Sequence, residues 1–464
     1  MSGTKFQIDM CHGPLLGKIV LFAFPLIFTQ IFQLLFNAVD LMVVGRFVSS
    51  DAMASVGATM SLNGLMINAF SGLSVASNIL VARHFGAGDK KALSRTVRTS
   101  MQMAFYGGFV LMVIALLAAR PLLILMKTPE SILGMSCIYI WICFASIPCT
   151  VVYNFGSAIL RAVGDTRRPL FFLFAAGLIN VGLNLFFILV CGMGVAGVAL
   201  ATAISHGVSG TLVLIVLLRT RECYRLKLRG KGFSMPVFRD LLKLGIPAMI
   251  QSACFPVSNM IIQSAVNTFG AVAVAGNTAA MALEGFVYIG SFAFHQTAVS
   301  FVSQNYGGGK YRRIIRSLQL SYLSGAVVCI AAGCGMLCAG RTLLGYFNPD
   351  PEVIEWGMIR LMVMCPFYFL CATMDASSGG LRGLGYSTLS TINSLTGACV
   401  MRILWIWWVL PVFPFYICIM VSYPVSWFLV TAASTCCLWV ICRRLLRTGV
   451  ARRRTWATVS APVR

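Results

Sequence analysis

Asp40 is the one carboxylate in the first half of the chain that stands inside an apolar run away from the loops. The run is FPLIFTQIFQLLFNAVDLMVVG, residues 24–45, with Pro25 near its start. The next charge, Arg46, lies about 9 Å further along a helix at ~1.5 Å per residue. A carboxylate held in hydrocarbon is costly, so it faces a bundle interior or a wet cavity and takes a cation or a proton. Two amides offer it company. Asn180 and Asn184, in GLINVGLNLFF, are spaced i and i+4 and share one helical face. With the Thr202 hydroxyl these groups could form an all-oxygen site for a monovalent cation, or hold a hydrated proton. The same residues also suit a plainer role, in which the amides hydrogen-bond between helices and the acid is wetted at a helix end.

The second half carries its own ionisable set: Glu284, Asp375 and Arg402. Glu284 falls a few residues into one apolar segment and Arg402 about fourteen residues into another entered from the opposite face, at 1.5 Å per residue a similar depth. An ion pair between them is the expectation, as structural neutralisation or as a substrate contact. Asp375 falls near a segment end, where solvation is easy. His206 and His295 read as polar packing. No Ser–His–Asp set, phosphate-cradling glycine loop or paired catalytic carboxylates occupies a loop, so no catalytic residue and no enzyme activity is expected. Seventeen cysteines are scattered through apolar runs and only four histidines are present, which gives no zinc or iron–sulfur spacing. No cofactor is expected beyond a coupling Na⁺ or H⁺.

These side chains need a frame, and composition says which. Of 464 residues 58% are hydrophobic and 11% charged, and the mean hydropathy is +0.86, a balance that long uncharged membrane helices require. Twelve spans are predicted, near 15–43, 53–82, 96–118, 133–159, 169–190, 194–218, 241–266, 279–302, 314–339, 353–378, 388–411 and 415–442. The fold class is therefore all-α integral membrane. The N-terminal MSGTKFQIDMCHGP lacks a signal peptide's pattern, so the first span is expected to stay uncleaved. The formal charge of +23 follows topology rather than nucleic acid. Five basic residues fall in Arg83–Arg98, eight in Arg219–Lys243 and seven from Arg443 onward, whereas Val190–Ala196 and Val266–Ala280 hold none. That alternation places the basic loops and both termini in the cytoplasm, with contact to anionic lipid a secondary role.

The twelve spans repeat as two sixes. Pro25 recurs as Pro247, Gly57 as Gly276, Gly86-Ala87-Gly88 as Gly307-Gly308-Gly309, and Leu160-Arg161-Ala-Val-Gly164 as Leu381-Arg382-Gly-Leu-Gly385. The paired glycine loops read as helix-to-helix turns. The repeat divides the chain into an N-lobe (1–218), a linker (219–240), a C-lobe (241–442) and a basic tail (443–464). An even number of spans per half implies two lobes related by an axis along the membrane normal, with a cavity between. The repeat is also an internal control. In the register that lays Leu160 on Leu381, Asp40 meets an isoleucine, Asn180 meets Met401 and Asn184 meets Trp405. In the same register Glu284 meets Asn63, Asp375 meets Asn154 and Arg402 meets Val181. Positions polar in one half only are candidates for function.

Taken together, the opening FPL…Q…NAVDLMVVGRFVSSDAMASVGA, the loops ARHFGAGDKKALSR and SQNYGGGKYRRI, and the pair LRAVGDTRRP and LRGLGYST resemble the multidrug and toxic compound extrusion transporters over residues 13–442. The resemblance implies a two-lobed exporter of organic cations or amphipathic compounds, coupled to inward Na⁺ or H⁺. It implies a bacterial cytoplasmic-membrane location, lipid and small-molecule partners, no nucleic acid, and a monomer. It assigns Asp40, Asn180, Asn184 and Thr202 to the N-lobe cation site and Pro25 to a helix kink. The sequence departs at Asn184, where many members carry a second Asp. It departs again in FPVSNMII, where some carry a Glu. A flippase for lipid-linked oligosaccharides on a related fold is the alternative. Such flippases line the cavity with several basic residues, whereas Arg402 is the clear mid-span cation here.

The topology predicts that a cysteine placed at Gly230 reacts with an impermeant thiol reagent only after cells are permeabilised. Labelling of intact cells would reverse the assignment.

Overall fold

The computed structural model describes residues 6–126, 128–227 and 233–448. Residues 228–232 of the linker, with Gly230, and the tail beyond 448 lie outside them. The described chain is helical throughout: α1 (Leu15–Phe47), α2 (Ser50–Ala87), α3 (Lys90–Leu125), α4 (Glu130–Ala145), α5 (Ile147–Ala162), α6 (Arg167–Leu185), α7 (Gly194–Arg219), α8 (Met235–Asn267), α9 (Ala271–Gly307), α10 (Tyr311–Phe347), α11 (Pro351–Met364), α12 (Tyr368–Gly383), α13 (Ser387–Ser394), α14 (Met401–Trp408) and α15 (Tyr416–Thr448). Hydrocarbon offers backbone groups no partner, so apolar segments of this length satisfy their N–H and C=O groups as helices. Eleven stretches are long and apolar enough to span a membrane, and α4 with α5 makes a twelfth.

Of the expected single spans one is bent and others change helix type along their length. The fourth bends by 44° between α4 and α5, where Pro148 enters the first turn of α5. The tenth is α11 and α12 joined by the 3₁₀ turn Cys365–Phe367 around Pro366. The eleventh is α13 and α14 joined by the π-turn Leu395–Val400, and α6 runs into a similar π-turn at Phe186–Val190. Such turns widen a helix locally and are frequent beside functional sites.

The repeated loops are turns of one design. At Gly88 (φ 72°) and Gly309 (φ 68°) the chain reverses in the left-handed region, which a side chain would strain. Asp89 N–H then donates to His84 O (3.1 Å) and Lys310 N–H to Asn305 O (2.9 Å), closing equivalent helix ends. Asp89 also caps α3, its carboxylate accepting from Lys91 and Ala92 N–H. The paired Leu-Arg-x-x-Gly segments close α5 and α12 in the same way, Asp165 N–H to Leu160 O and Tyr386 N–H to Leu381 O, both 2.9 Å.

Contacts divide the described residues into two units. One holds residues 6–8, 28–85 and 89–249, the other residues 9–27, 86–88 and 250–448. Helix α1 passes from the second unit to the first after Ile27, and α8 from the first to the second after Met249. Each transfer follows a proline of the repeat by two residues, Pro25 and Pro247. Pro25 lies inside an unbroken α1. Packing explains the membership. Phe22 of α1 meets Phe301 edge-on at 5.6 Å, while Gly72 of α2 abuts the α8 backbone at Ala248. The N-terminal stretch before α1 is held in the second unit by Arg313, which donates to Met10 and His12 carbonyls, and by Lys310, which donates to Cys11 O.

The repeated glycines Gly57 and Gly276 differ in what surrounds them. A Cβ on Gly276 would lie 2.5 Å from Val353 O and 2.8 Å from Gly357 N in α11, whereas one on Gly57 meets nothing within 4 Å. Gly276→Ala is therefore expected to cost about 1–3 kcal/mol of stability through overpacking. Gly57→Ala is expected to be neutral or stabilising by up to ~1 kcal/mol through helix propensity. Thermal unfolding of the two variants in detergent checks this; equal losses would contradict it.

Candidate functional site

The first unit gathers all four of the residues expected around Asp40. The acid comes from α1, Asn180 and Asn184 from successive turns of α6, and Thr202 from α7. Asn184 is fully buried, Asn180 is 4% exposed and Asp40 9%. Asn184 Nδ2 donates to Asp40 Oδ1 at 2.5 Å and reaches Asn180 Oδ1 at 3.3 Å. Asn180 Nδ2 in turn donates to Thr202 Oγ1 at 3.4 Å. The surround is apolar: Val43, Val44, Tyr139, Cys143, Ile188 and Val198 pack into one buried cluster, joined by Val39 and Leu41 on either side of the acid. Helix α6 passes into its π-turn directly after Leu185, one residue beyond Asn184.

This geometry suits a cation. The Asn184 amide group stands between two oxygens, Asp40 Oδ1 and Asn180 Oδ1, the position from which a bound cation would contact both. Its own Oδ1 is buried and has no hydrogen-bond partner among the described residues. An orphaned acceptor of this kind is costly. Rotating the amide by half a turn would add that oxygen to the other two, giving a carboxylate and two carbonyls with Thr202 Oγ1 nearby. Hard oxygen ligands of this sort suit an alkali cation or a hydrated proton, and the single carboxylate suits a single positive charge.

The second unit differs from the sequence expectation. Glu284 (α9) does not pair with Arg402. It pairs with Arg360 of α11 through a two-point fork, Nε to Oε1 and Nη2 to Oε2, both 2.8 Å, with both residues at most 4% exposed. Tyr368 OH adds a third bond to Glu284 at 3.3 Å. Arg360 Nη1 donates to Asn277 Oδ1, which also accepts from Tyr416 OH, and Asn277 Nδ2 donates to Gln263 Oε1. Equal depth placed Glu284 and Arg402 level, but helices α9 and α11 are the ones in contact. Arg402 instead donates from Nε to Ser426 Oγ at 2.8 Å and stacks on the Tyr423 ring at 4.2 Å. Asp375 is half-buried in α12 and accepts from Ser291 Oγ at 2.6 Å. His295 Nδ1 donates to the Asp375 carbonyl at 2.8 Å, and His206 Nδ1 and the Ser146 hydroxyl bond at 3.1 Å, so both rings are satisfied.

Sequence reasoning passed over Arg360 because it stands only seven residues into its span. The repeat carried the signal: in the register of Leu160 on Leu381, Arg360 meets Tyr139, as unlike a partner as Arg402 meets.

A dozen spans from a tandem repeat, with buried ionisable groups differing between its halves, define the architecture of a membrane transporter. Comparison with known proteins is specific. The MatE family model matches the chain twice, over residues 25–186 and 247–408. The chain belongs to the MatE family, that of the multidrug and toxic compound extrusion transporters, and the paired match carries the repeat. Two curated relatives come from Bacillus subtilis (strain 168). The probable multidrug resistance protein YoeA is 28% identical, over 81% of this chain and 82% of its own. The probable multidrug resistance protein YpnP is 26% identical, over 85% and 88%. Among solved structures, the outward-facing conformation of a multidrug resistance MATE family transporter of the MOP superfamily superposes with a TM-score of 0.90. It shares 19% identity and covers 97% of this chain and all of that one, a likeness of fold.

Removing one partner of a buried pair strands the other's charge, at a cost of about 3–5 kcal/mol. Glu284→Gln is accordingly expected to lower the melting temperature sharply, and Glu284→Gln with Arg360→Met to recover most of the loss. Equal stability of the single variant and the wild type would show that the fork carries no such weight.

Proposed function

We propose that the protein is a secondary active exporter that moves amphipathic or cationic small molecules outward in exchange for Na⁺ or H⁺, by alternating access. The coupling ion binds at Asp40, with Asn180, Asn184 and Thr202 as neutral ligands. One observation carries this reading: a buried carboxylate met by a neutral amide rather than a cation, beside a buried carbonyl oxygen that has no partner among the described residues. The names of the relatives as multidrug resistance proteins support the substrate class.

Coupling needs a site whose occupancy favours one conformation over another, and a ligand shifts such an equilibrium only by its differential affinity for the two. Binding or loss of one cation changes the local charge by one inside an apolar surround, where that change is felt strongly. The Asn184 amide supplies the mechanical part. Its N–H group satisfies the ion-free carboxylate, and its oxygen replaces that N–H when the cation arrives. A flippase has less support, because Arg360 is bound to Glu284 and Arg382 to Gln251 (2.7 Å), which among the described mid-span residues leaves Arg402 rather than several basic residues without such a partner. The membrane is taken to be the bacterial cytoplasmic one, with both termini on the cytoplasmic side.

Asp40→Asn is expected to insert and fold normally and to keep substrate binding. In proteoliposomes its export under an imposed Na⁺ or pH gradient should fall by at least about tenfold, the factor that ~1.4 kcal/mol of lost differential binding carries. Asn184→Asp should raise Na⁺ dependence if Na⁺ is the coupling ion, and shift the pH profile if the proton is. Wild-type uphill export by Asp40→Asn would contradict the proposal.

A further inference from the structure

The second unit buries more positive than negative charge. Arg360, Arg382 and Arg402 are each at most 4% exposed, against two acids on the same group of helices, Glu284 and the half-buried Asp375. Arg360 is neutralised by its fork with Glu284. Among the described residues no carboxylate pairs with Arg402. Of its five N–H donors, the one on Nε is used on Ser426. The others, on Nη1 and Nη2, have no hydrogen-bond partner among the described residues. The guanidinium is held in place on both sides, by Ser426 and by the face of Tyr423, whose ring also sees Arg360 at 5.4 Å. A cation fixed by a hydrogen bond and an aromatic face, with its fork left free, is preorganised for a negative ligand.

The repeat sharpens the contrast. The two family matches begin at Pro25 and Pro247, and in the register of those prolines Asn180 falls on Arg402 and Asp40 on Ile262. In the register of Leu160 on Leu381, one position away, Thr202 falls on Tyr423. The segment that presents oxygen acceptors in the first half presents a guanidinium and its aromatic support in the second. We infer that Arg402 is the centre of an anion site in the second unit, taking one small monovalent anion, a halide or the carboxylate of a bound organic molecule, between its free Nη1 and Nη2 donors. Tyr423, on whose face the guanidinium rests, packs against Trp427 at 6.2 Å, and Trp427 against Tyr368 at 5.1 Å, a buried aromatic cluster beside the charge that strengthens a charge-assisted contact. The site does not depend on the coupling role of Asp40.

The test uses the full-length protein in uncharged detergent, its unfolding followed in chloride, in propionate and in the bulky anion gluconate at equal ionic strength. Chloride or propionate is expected to raise the melting temperature over gluconate by about 2–4 °C. A response to chloride alone assigns a halide site, and a response to propionate assigns a site open to a carboxylate-bearing substrate. Arg402→Met, which removes the buried charge at similar volume, is expected to unfold at or above the wild-type temperature in gluconate and to show no anion increment. Asp40→Asn is expected to keep it. Identical wild-type melting in all three salts overturns the proposal, as does an increment that survives in Arg402→Met. If Arg402→Met does not fold, the wild-type comparison alone decides.

Discussion

A charge in hydrocarbon must be met by a partner, and that requirement shapes both units more than any other contact. In the first unit it is met by one amide: Asn184 donates to Asp40 from a fully buried position, and the rest of the site is arranged around that bond. Helix α6 must present two asparagines one turn apart, α7 must bring Thr202 beside the first, and α1 must carry the acid into the apolar cluster formed by Val43, Tyr139 and Val198. The cost of the arrangement is visible in Asn184 Oδ1, which has no partner among the described residues. A buried polar group left unsatisfied calls for an explanation, and a water or an ion supplies one.

The second unit meets the same requirement by pairing. Glu284 and Arg360 neutralise each other, Tyr368 adds a bond to Glu284, and Asn277 accepts from both Arg360 and Tyr416. A buried network of this kind holds its members in one arrangement. The two halves of one repeat thus differ, with a carboxylate met by a neutral amide in one and a paired carboxylate and guanidinium in the other.

Much of this was legible in the sequence. The apolar runs and the echo of prolines and glycines between the halves appear directly as spans, turns and repeat. Asn180 and Asn184 were legible as a pair because i, i+4 spacing fixes a helical face regardless of tertiary detail, while Asp40 and Thr202 join them through the packing of α1 and α7 on α6. Three things were not legible, each for a physical reason. The bend at Ser146 and the 3₁₀ turn at Cys365 depend on how a proline is accommodated, which hydropathy does not encode. The transfer of α1 and α8 between units depends on which helix faces which. The partner of Glu284 depends on azimuth as well as depth, and depth alone favoured Arg402 over Arg360.

The central claim is that Asp40 changes its ligation when the coupling ion binds, and vibrational spectroscopy of that carboxyl group measures it most directly. Infrared difference spectra of the reconstituted protein, with carboxyl-labelled aspartate, can be recorded between Na⁺-free and Na⁺ buffers and between acidic and alkaline buffers. One aspartate carboxyl band is expected to shift or disappear in at least one of the two pairs, accompanied by an asparagine amide band, with the aspartate change absent from Asp40→Asn. Spectra that show no aspartate change in either pair, or the same change in Asp40→Asn as in the wild type, would contradict it.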